Sequence, residues 1–382
     1  MNIAIISLYG CNFGNKLQNY ALLKLSVLGG TECHTVFYQN DISEAAGVLQ
    51  KHQKLAKMVK DTAKKILFSI GVREHRVQRY GLEQRRKRIF SKFSKEYLHL
   101  AENITFTHIP PDFKERYDYF CAGSDQVWHN WSGTRAELDY FFLKFADRRQ
   151  RICLSPSFGR DEIPEGEKEY YRDALNGFDR LSCREASGVE LIRSLTGREA
   201  VLLADPAMVL ERAEWEKLSR KPSWVVPARY LLLYLLGDEI PETLETIRRY
   251  ATLLGTEIVN IYDIEREPEH YLTGPCEFLY LIQNAQLVCT NSFHGTVFSI
   301  LFHTNFVCFP REDSGNDKIG DMSNRIITLL DKFDFQDRFF HTVQDADLLR
   351  MDFSGVDEQL AVERKRMTDY MKESLNKDQE EC

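Results

Sequence analysis

The chain has 382 residues, more than one domain usually holds, and its formal net charge of −7 argues against a general nucleic-acid binder. Hydrophobic residues make up 43% and aromatic residues 12%, which excludes wholesale disorder and allows sizeable cores. No apolar run approaches the roughly 20 residues that a membrane-crossing helix needs; Tyr230–Leu236 is only strand length.

The chain opens on a strand pattern, Met1-Asn-Ile-Ala-Ile-Ile6, with no basic leader or cleavage site, so no signal peptide is expected. Ile3–Leu8 reads as a buried strand and Tyr9–Asn15 as a turn-rich loop. Lys16–Leu28 has helical spacing and stops at Gly29-Gly30; Cys33–Tyr38 is the next strand. Residues 51–97 then carry fifteen Lys or Arg against four Asp or Glu, a net +11 that leaves −18 for the remainder. This stretch reads either as a solvated helical hairpin or as a face for an anionic membrane surface or a diphosphate-linked substrate. Strand-like runs follow at Tyr117–Ala122, Arg151–Ser155, Arg180–Cys183 and Val201–Ala204. Glu211–Pro227 holds two prolines and no clear strand, and the domain boundary is placed there, giving domains 1–212 and 225–382. A second series, Tyr230–Leu236, Glu257–Ile261, Leu287–Thr290 and Asn305–Phe309, precedes a charged helical tail, Val356–Cys382. Strands alternating with helices predict βαβ units, parallel sheets and two doubly wound α/β domains. The nine cysteines form no C-x-x-C pair and mostly lie in apolar runs, as reduced buried thiols do, so a cytoplasmic protein is expected.

In a doubly wound sheet, ligands bind beyond the carboxyl ends of the strands, which singles out the segments after each strand. After Leu287–Thr290 comes Asn291-Ser-Phe-His-Gly295, a helix start where free amides and the helix dipole favour an anion. Asn291 and Ser292 suit capping or ligand contact there, and His294 suits phosphate binding or proton transfer, with a purely structural capping role as the alternative. After Tyr117–Ala122 comes Gly123-Ser-Asp-Gln-Val-Trp128. Asp125 is a candidate base or sugar ligand and Trp128 a candidate sugar-stacking ring; the alternative is a turn and a core tryptophan. Arg184, after Arg180–Cys183, suits a carboxylate or phosphate, or pairs with Glu185. Lys16 and Gln18 follow an incomplete glycine fingerprint that argues against nicotinamide binding. Asp205-Pro206 reads as a turn. There is no H-E-x-x-H, P-loop, G-x-S-x-G or zinc spacing, so no metal or cofactor is expected.

Taken in order, these segments resemble the polysaccharide pyruvyl transferase family. The matching elements are Asn12-Phe-Gly-Asn-Lys-Leu-Gln18, Gly123-Ser-Asp-Gln-Val-Trp128, Ser155-Pro-Ser-Phe-Gly159, Arg184-Glu185, Asp205-Pro206, Thr290-Asn-Ser-Phe-His-Gly295 and Asn324-Arg325. The first loop departs from the family's usual Asn-Tyr-Gly-Ala. The resemblance implies two Rossmann-like domains around a central cleft, similar to the GT-B glycosyltransferases. It also implies pyruvyl transfer from phosphoenolpyruvate to a sugar diol, forming a cyclic ketal on a surface polysaccharide or its lipid-linked precursor. In that scheme His294, Asp125 and Arg184 are catalytic. Asn291, Ser292, Gly295 and Arg325 hold the donor, and Asn12, Gly14, Lys16, Gln18 and Trp128 face the acceptor. A nucleotide-sugar glycosyltransferase and a non-catalytic sugar-binding subunit of a polysaccharide assembly complex remain as alternatives. The basic stretch 51–97 is the expected contact with the inner face of a membrane.

Overall fold

The computed structural model describes residues 1–28, 32–39, 73–106, 108–238, 240–311 and 323–375. A five-stranded sheet of order β3-β2-β1-β4-β5, parallel throughout, organises the first half. Its strands are β1 (Asn2–Ile6), β2 (Glu32–Gln39), β3 (Leu100–Thr105), β4 (Tyr119–Ala122) and β5 (Arg151–Cys153). A two-stranded parallel ladder follows, β6 (Ser182–Cys183) with β7 (Val201–Leu202). The second half carries a four-stranded parallel sheet of order β11-β10-β8-β9. Its strands are β8 (Tyr230–Tyr234), β9 (Glu257–Asn260), β10 (Leu287–Thr290) and β11 (Phe306–Cys308). The central strands β1, β4, β8 and β10 are continuous apolar runs buried on both faces, the signature of parallel strands covered by helices.

The helices are α1 (Phe13–Leu28), α2 (Arg73–Tyr97), α3 (Arg135–Phe141), α4 (Lys168–Asn176), α5 (Ala186–Thr196), α6 (Pro206–Val209), α7 (Arg212–Leu218), α8 (Pro241–Leu254), α9 (Pro268–Tyr271), α10 (Pro275–Asn284), α11 (Phe293–Leu301), α12 (Ser323–Lys332) and α13 (Val356–Leu375). Helix α1 starts three residues before the expected Lys16, with the Asn12 side chain accepting from the Asn15 amide at 3.4 Å. Strand β3 was not foreseen. Its run Leu-Ala-Glu-Asn-Ile-Thr is half polar, which an edge strand tolerates because only one neighbour covers it.

Of the basic stretch 51–97, residues 51–72 lie outside the described residues, and 73–97 form the single helix α2. That helix is not simply solvated. Phe90 and Phe93 are buried, and so is Arg86. The Arg86 guanidinium sits 4.7 to 5.0 Å from the ring centres of Phe13, Phe90, Tyr262 and Tyr271, and it donates to the Tyr271 carbonyl. Phe13 stacks in turn on Phe278 of α10, with centroids 4.3 Å apart. A cation among aromatic faces thus ties α2 and the start of α1 to the second sheet's helices.

Helix α13 crosses back to the first sheet rather than staying with the second. The Tyr119 hydroxyl donates to the Leu375 carbonyl at 3.0 Å, Tyr370 reaches Cys153 at 3.7 Å, and Arg180 pairs with Glu373. Among the described residues, no helix is long and apolar enough to cross a membrane.

Candidate functional site

A cavity of about 410 Å³ opens between the two sheets, at the carboxyl ends of β1, β4, β8 and β10. Asn12 reaches it from the turn after β1, Asn15 from the first turn of α1, Asp125 and Gln126 from the turn after β4, and Ser292 and His294 from the start of α11. Arg311 and Arg325 complete a cationic wall. Parallel strands deliver their following loops to one edge, which is why segments far apart in sequence meet here.

Beneath the cavity lies a buried charge cluster. The Arg184 side chain, 1% exposed, donates to Asp205 Oδ2 at 2.7 Å and to Asp125 Oδ1 at 3.1 Å. Its guanidinium lies 4.2 Å from the Phe293 ring centre. Asp125 takes a second bond from Asn15 Nδ2 at 2.5 Å, and its φ of +70° is one that aspartate tolerates. Asp205 caps α6 by accepting from the Ala207 amide at 3.0 Å, and it also accepts from Ser124 Oγ at 3.2 Å. Burial alone would raise both carboxyls. For Asp125 the charges of Arg184, His294 and Arg325 outweigh burial; for Asp205 those of His294 and Arg184 do, so both lie below the ordinary carboxylate range. Arg184 is likewise held firmly charged, because its carboxylates overcome burial. Arg184, expected among the catalytic residues, has its two carboxylate partners inside the protein, and it does not line the cavity.

His294 stands on the first turn of α11, whose N-cap is Ser292, accepting from the Gly295 amide at 3.3 Å. Its Nε2 lies 3.5 Å from Asp205 Oδ2 and has no hydrogen bond within geometric reach. The imidazole packs directly on Gly14: a Cβ there would sit 2.1 Å from His294 Nδ1, so only glycine admits the ring. Gly295 is required for a similar reason, because its Cβ would sit 2.5 Å from Thr290 Oγ1. Its amide, expected to hold the donor, is given to the Ser292 cap. The Asn291 side chain is also occupied. It accepts from the Leu236 amide at 2.7 Å and donates to the Leu236 carbonyl at 2.8 Å, joining the turns after β8 and β10.

Three acceptor-side expectations are corrected as well. Trp128 is fully buried and stacked on Phe142 at 5.3 Å, with no face open to a sugar. Gln18 is buried, donating to Ser7 Oγ at 2.6 Å and accepting from the Ser124 amide at 3.2 Å; it braces the Asp125 turn. Lys16 is buried behind Tyr9, its Nζ 3.4 Å from the ring centre, and burial pulls its ammonium down to about 7. Conversely, the cavity includes Asn15, Gln126, Trp131, Glu137 and Arg311, none of which the sequence singled out. Asp205, read as a turn residue, is the hub of the cluster beneath. Its sequence signals are its place at a strand end and the Asp205-Pro206 pair in the family-like series.

The cationic wall differs from the cluster. Arg325 is buried enough to lower its guanidinium to about 10, and the nearby Arg184 charge adds to that shift. Among the described residues its Nε has no hydrogen-bond partner, and the Phe293 ring centre is 6.0 Å away. Gln126, which also lines the cavity, has a buried Nε2 that packs against Gly159 and is equally unmet among the described residues. A buried donor without a partner costs about 1–3 kcal/mol, a cost an incoming anion or hydroxyl removes.

The family model Polysaccharide pyruvyl transferase matches residues 12–314. No curated protein sequence matches significantly. Among solved structures, the chain is similar to UDP-GlcNAc 2-epimerase from Neisseria meningitidis bound to UDP-GlcNAc, at 8% identity and a TM-score of 0.49, over 98% of this chain and 99% of that one. It is also similar to UDP-GlcNAc 2-epimerase from Methanocaldococcus jannaschii, at 11% identity and a TM-score of 0.47, over 97% and 100%. The family match spans most of the chain, and the chain belongs to the polysaccharide pyruvyl transferase family.

Proposed function

We propose that this member of the polysaccharide pyruvyl transferase family moves pyruvyl from phosphoenolpyruvate to two hydroxyls of a glycan, forming a cyclic ketal and releasing phosphate. The observation that carries this reading is Arg325, a half-buried side chain on the cavity wall whose buried Nε has no hydrogen bond among the described residues. A small, doubly anionic donor supplies what that wall lacks: its carboxylate or phosphate accepts from Arg325 in a charge-assisted pair. His294 lies on the same side and donates a proton to the methylene carbon of the enol. The double bond becomes a methyl group and leaves an oxocarbenium centre at the phosphate-bearing carbon. One glycan hydroxyl adds to that carbon, the carbon–oxygen bond to phosphate breaks, and the second hydroxyl closes the ring. Two hydroxyl protons are released for the one taken up at carbon, and one of them goes to the departing phosphate. Asp125, held ionised and already bonded to Arg184 and Asn15, orients the attacking hydroxyl rather than storing its proton. Asp205 holds the imidazole side-on, 3.5 Å from its Nε2. Holding donor and glycan between two domains contributes proximity to the rate.

The test is phosphate release from phosphoenolpyruvate in the presence of synthetic or lipid-linked glycosides, with thermal shifts by phosphoenolpyruvate and by UDP-sugars measured in parallel. Acceptor-dependent phosphate release and a shift with phosphoenolpyruvate are expected. Stabilisation by UDP-sugars alone, with no phosphate released, overturns the reading in favour of a nucleotide-sugar transferase. His294→Gln is expected to keep the donor-induced shift and lose turnover by about 10²–10⁴-fold, the usual worth of a positioned acid.

A further inference from the structure

We infer that Trp131 and Glu137 form a carbohydrate platform at the mouth of the cavity, binding the face of a neutral hexopyranoside unit of the acceptor. The inference rests on the pyruvyl-transfer reading for its place in the reaction, but not for the binding itself.

Among the described residues, Trp131 is the one large aromatic ring that lines the cavity and is substantially exposed, at 41%. A free indole at that exposure is ordinarily a mobile surface group, but this one is fixed. Its Nε1 donates to the Gln126 carbonyl at 3.3 Å, and its backbone amide donates to the His129 carbonyl at 3.1 Å. One side packs against the His129 ring, centroids 4.3 Å apart. His129 is itself buried, with Nδ1 3.0 Å from the Phe158 carbonyl, and burial with the Arg160 charge lowers its pKa to about 4. The ring behind Trp131 is therefore neutral near pH 7 and makes an apolar backing. The remaining indole surface is held rigid and wet, the condition under which an aromatic face takes the C–H face of a sugar at little entropic cost.

Glu137 supplies the polar half. It lies in the first turn of α3, is 4% exposed, and lines the same cavity. Its Oε2 accepts from the Ser132 amide at 2.6 Å and from Ser132 Oγ at 2.7 Å, which fixes the carboxyl plane. A carboxylate that lines the cavity in a fixed plane has lone pairs beyond those Ser132 uses, and accepts from a sugar hydroxyl in a fixed direction. Stacking ring and hydroxyl acceptor both lie in the first domain, on the segment that follows Asp125. A pyranose resting on Trp131 therefore leads toward the proposed hydroxyl-orienting Asp125. Trp128, three residues earlier, has no such face, because it is wholly in the core.

The test uses the full chain and methyl pyranosides of gluco, galacto and manno configuration, with binding read by saturation-transfer NMR and by tryptophan fluorescence. At least one pyranoside is expected to bind, with ring protons of one sugar face saturated most strongly. Trp131→Ala is expected to weaken that binding about tenfold or more, and Trp131→Phe, which keeps a stacking face, to restore most of it. Glu137→Gln keeps the Ser132 contacts' geometry and is expected to weaken binding a few-fold. In all three variants the thermal shift by phosphoenolpyruvate is expected to stay unchanged. Pyranoside affinity unaffected by Trp131→Ala, or binding of no pyranoside at all, overturns the platform. Trp131-dependent sugar binding without any phosphoenolpyruvate response keeps the platform and overturns the pyruvyl-transfer reading instead.

Discussion

The buried cluster and the cavity wall beside it use the same chemistry, guanidinium against carboxylate, and differ in how far their hydrogen bonds are met. Arg184 is bracketed by Asp125 and Asp205 at 3.1 and 2.7 Å, whereas Arg325 has no partner at Nε among the described residues. A buried charge whose partners are all internal is scaffold, and removing it leaves its partners stranded. A charge at a cavity wall with a buried, unmet donor is set for a ligand, and removing it relieves the fold. The distinction separates two arginines that look alike as sequence.

The sharpest way to break that comparison is Arg184→Met. It leaves Asp125 and Asp205 buried without their cation, and a loss of about 3–5 kcal/mol in urea unfolding is expected. A loss well under 1 kcal/mol would mean the cluster is not scaffold. Gly14→Ala comes next. Its Cβ would press on His294, only 2.1 Å from Nδ1, and overpacking of this kind costs about 1–3 kcal/mol. Phosphate release is expected to fall further than the lost stability explains, because the imidazole itself is displaced.

Lys16 gives a smaller, pH-dependent effect. Its folded pKa, about 7, lies below the ordinary lysine value because of burial. Between those two values the unfolded chain binds the extra proton, so stability rises with pH there, and the cost of burying the charge is greatest below the folded pKa. Wild type is expected to gain about 2 kcal/mol relative to Lys16→Met between pH 7 and pH 9, measured by urea unfolding at each pH. A constant difference across that range would show that Lys16 is charged and internally paired.

Much of the fold was legible because parallel central strands need continuous apolar runs and helices need their own spacing: β1, β4, β8 and β10 stand where those runs are. Strand β3 was not, because half its residues are polar and its pairing with β2 is a long-range fact. For the site, the strand-end rule led to the right turns but not to the right side chains. Trp128 and Trp131 lie on one loop. Which one turns inward depends on backbone geometry around Asp125, including its bridge to Pro156, that composition does not encode. The fate of Arg184 depends on carboxylates 59 and 21 residues away, met only after folding. Lys16 and Gln18 follow a turn that looks exposed, yet α1 begins at Phe13 and carries both into the interior.

The most direct measurement is calorimetric titration of phosphoenolpyruvate into wild type and Arg325→Met, with urea unfolding of both. The expected result is an affinity about a hundredfold lower in the variant, with stability equal to or above wild type, since a desolvated guanidinium has been removed. Unchanged affinity, or a stability loss as large as that of Arg184→Met, would contradict the account.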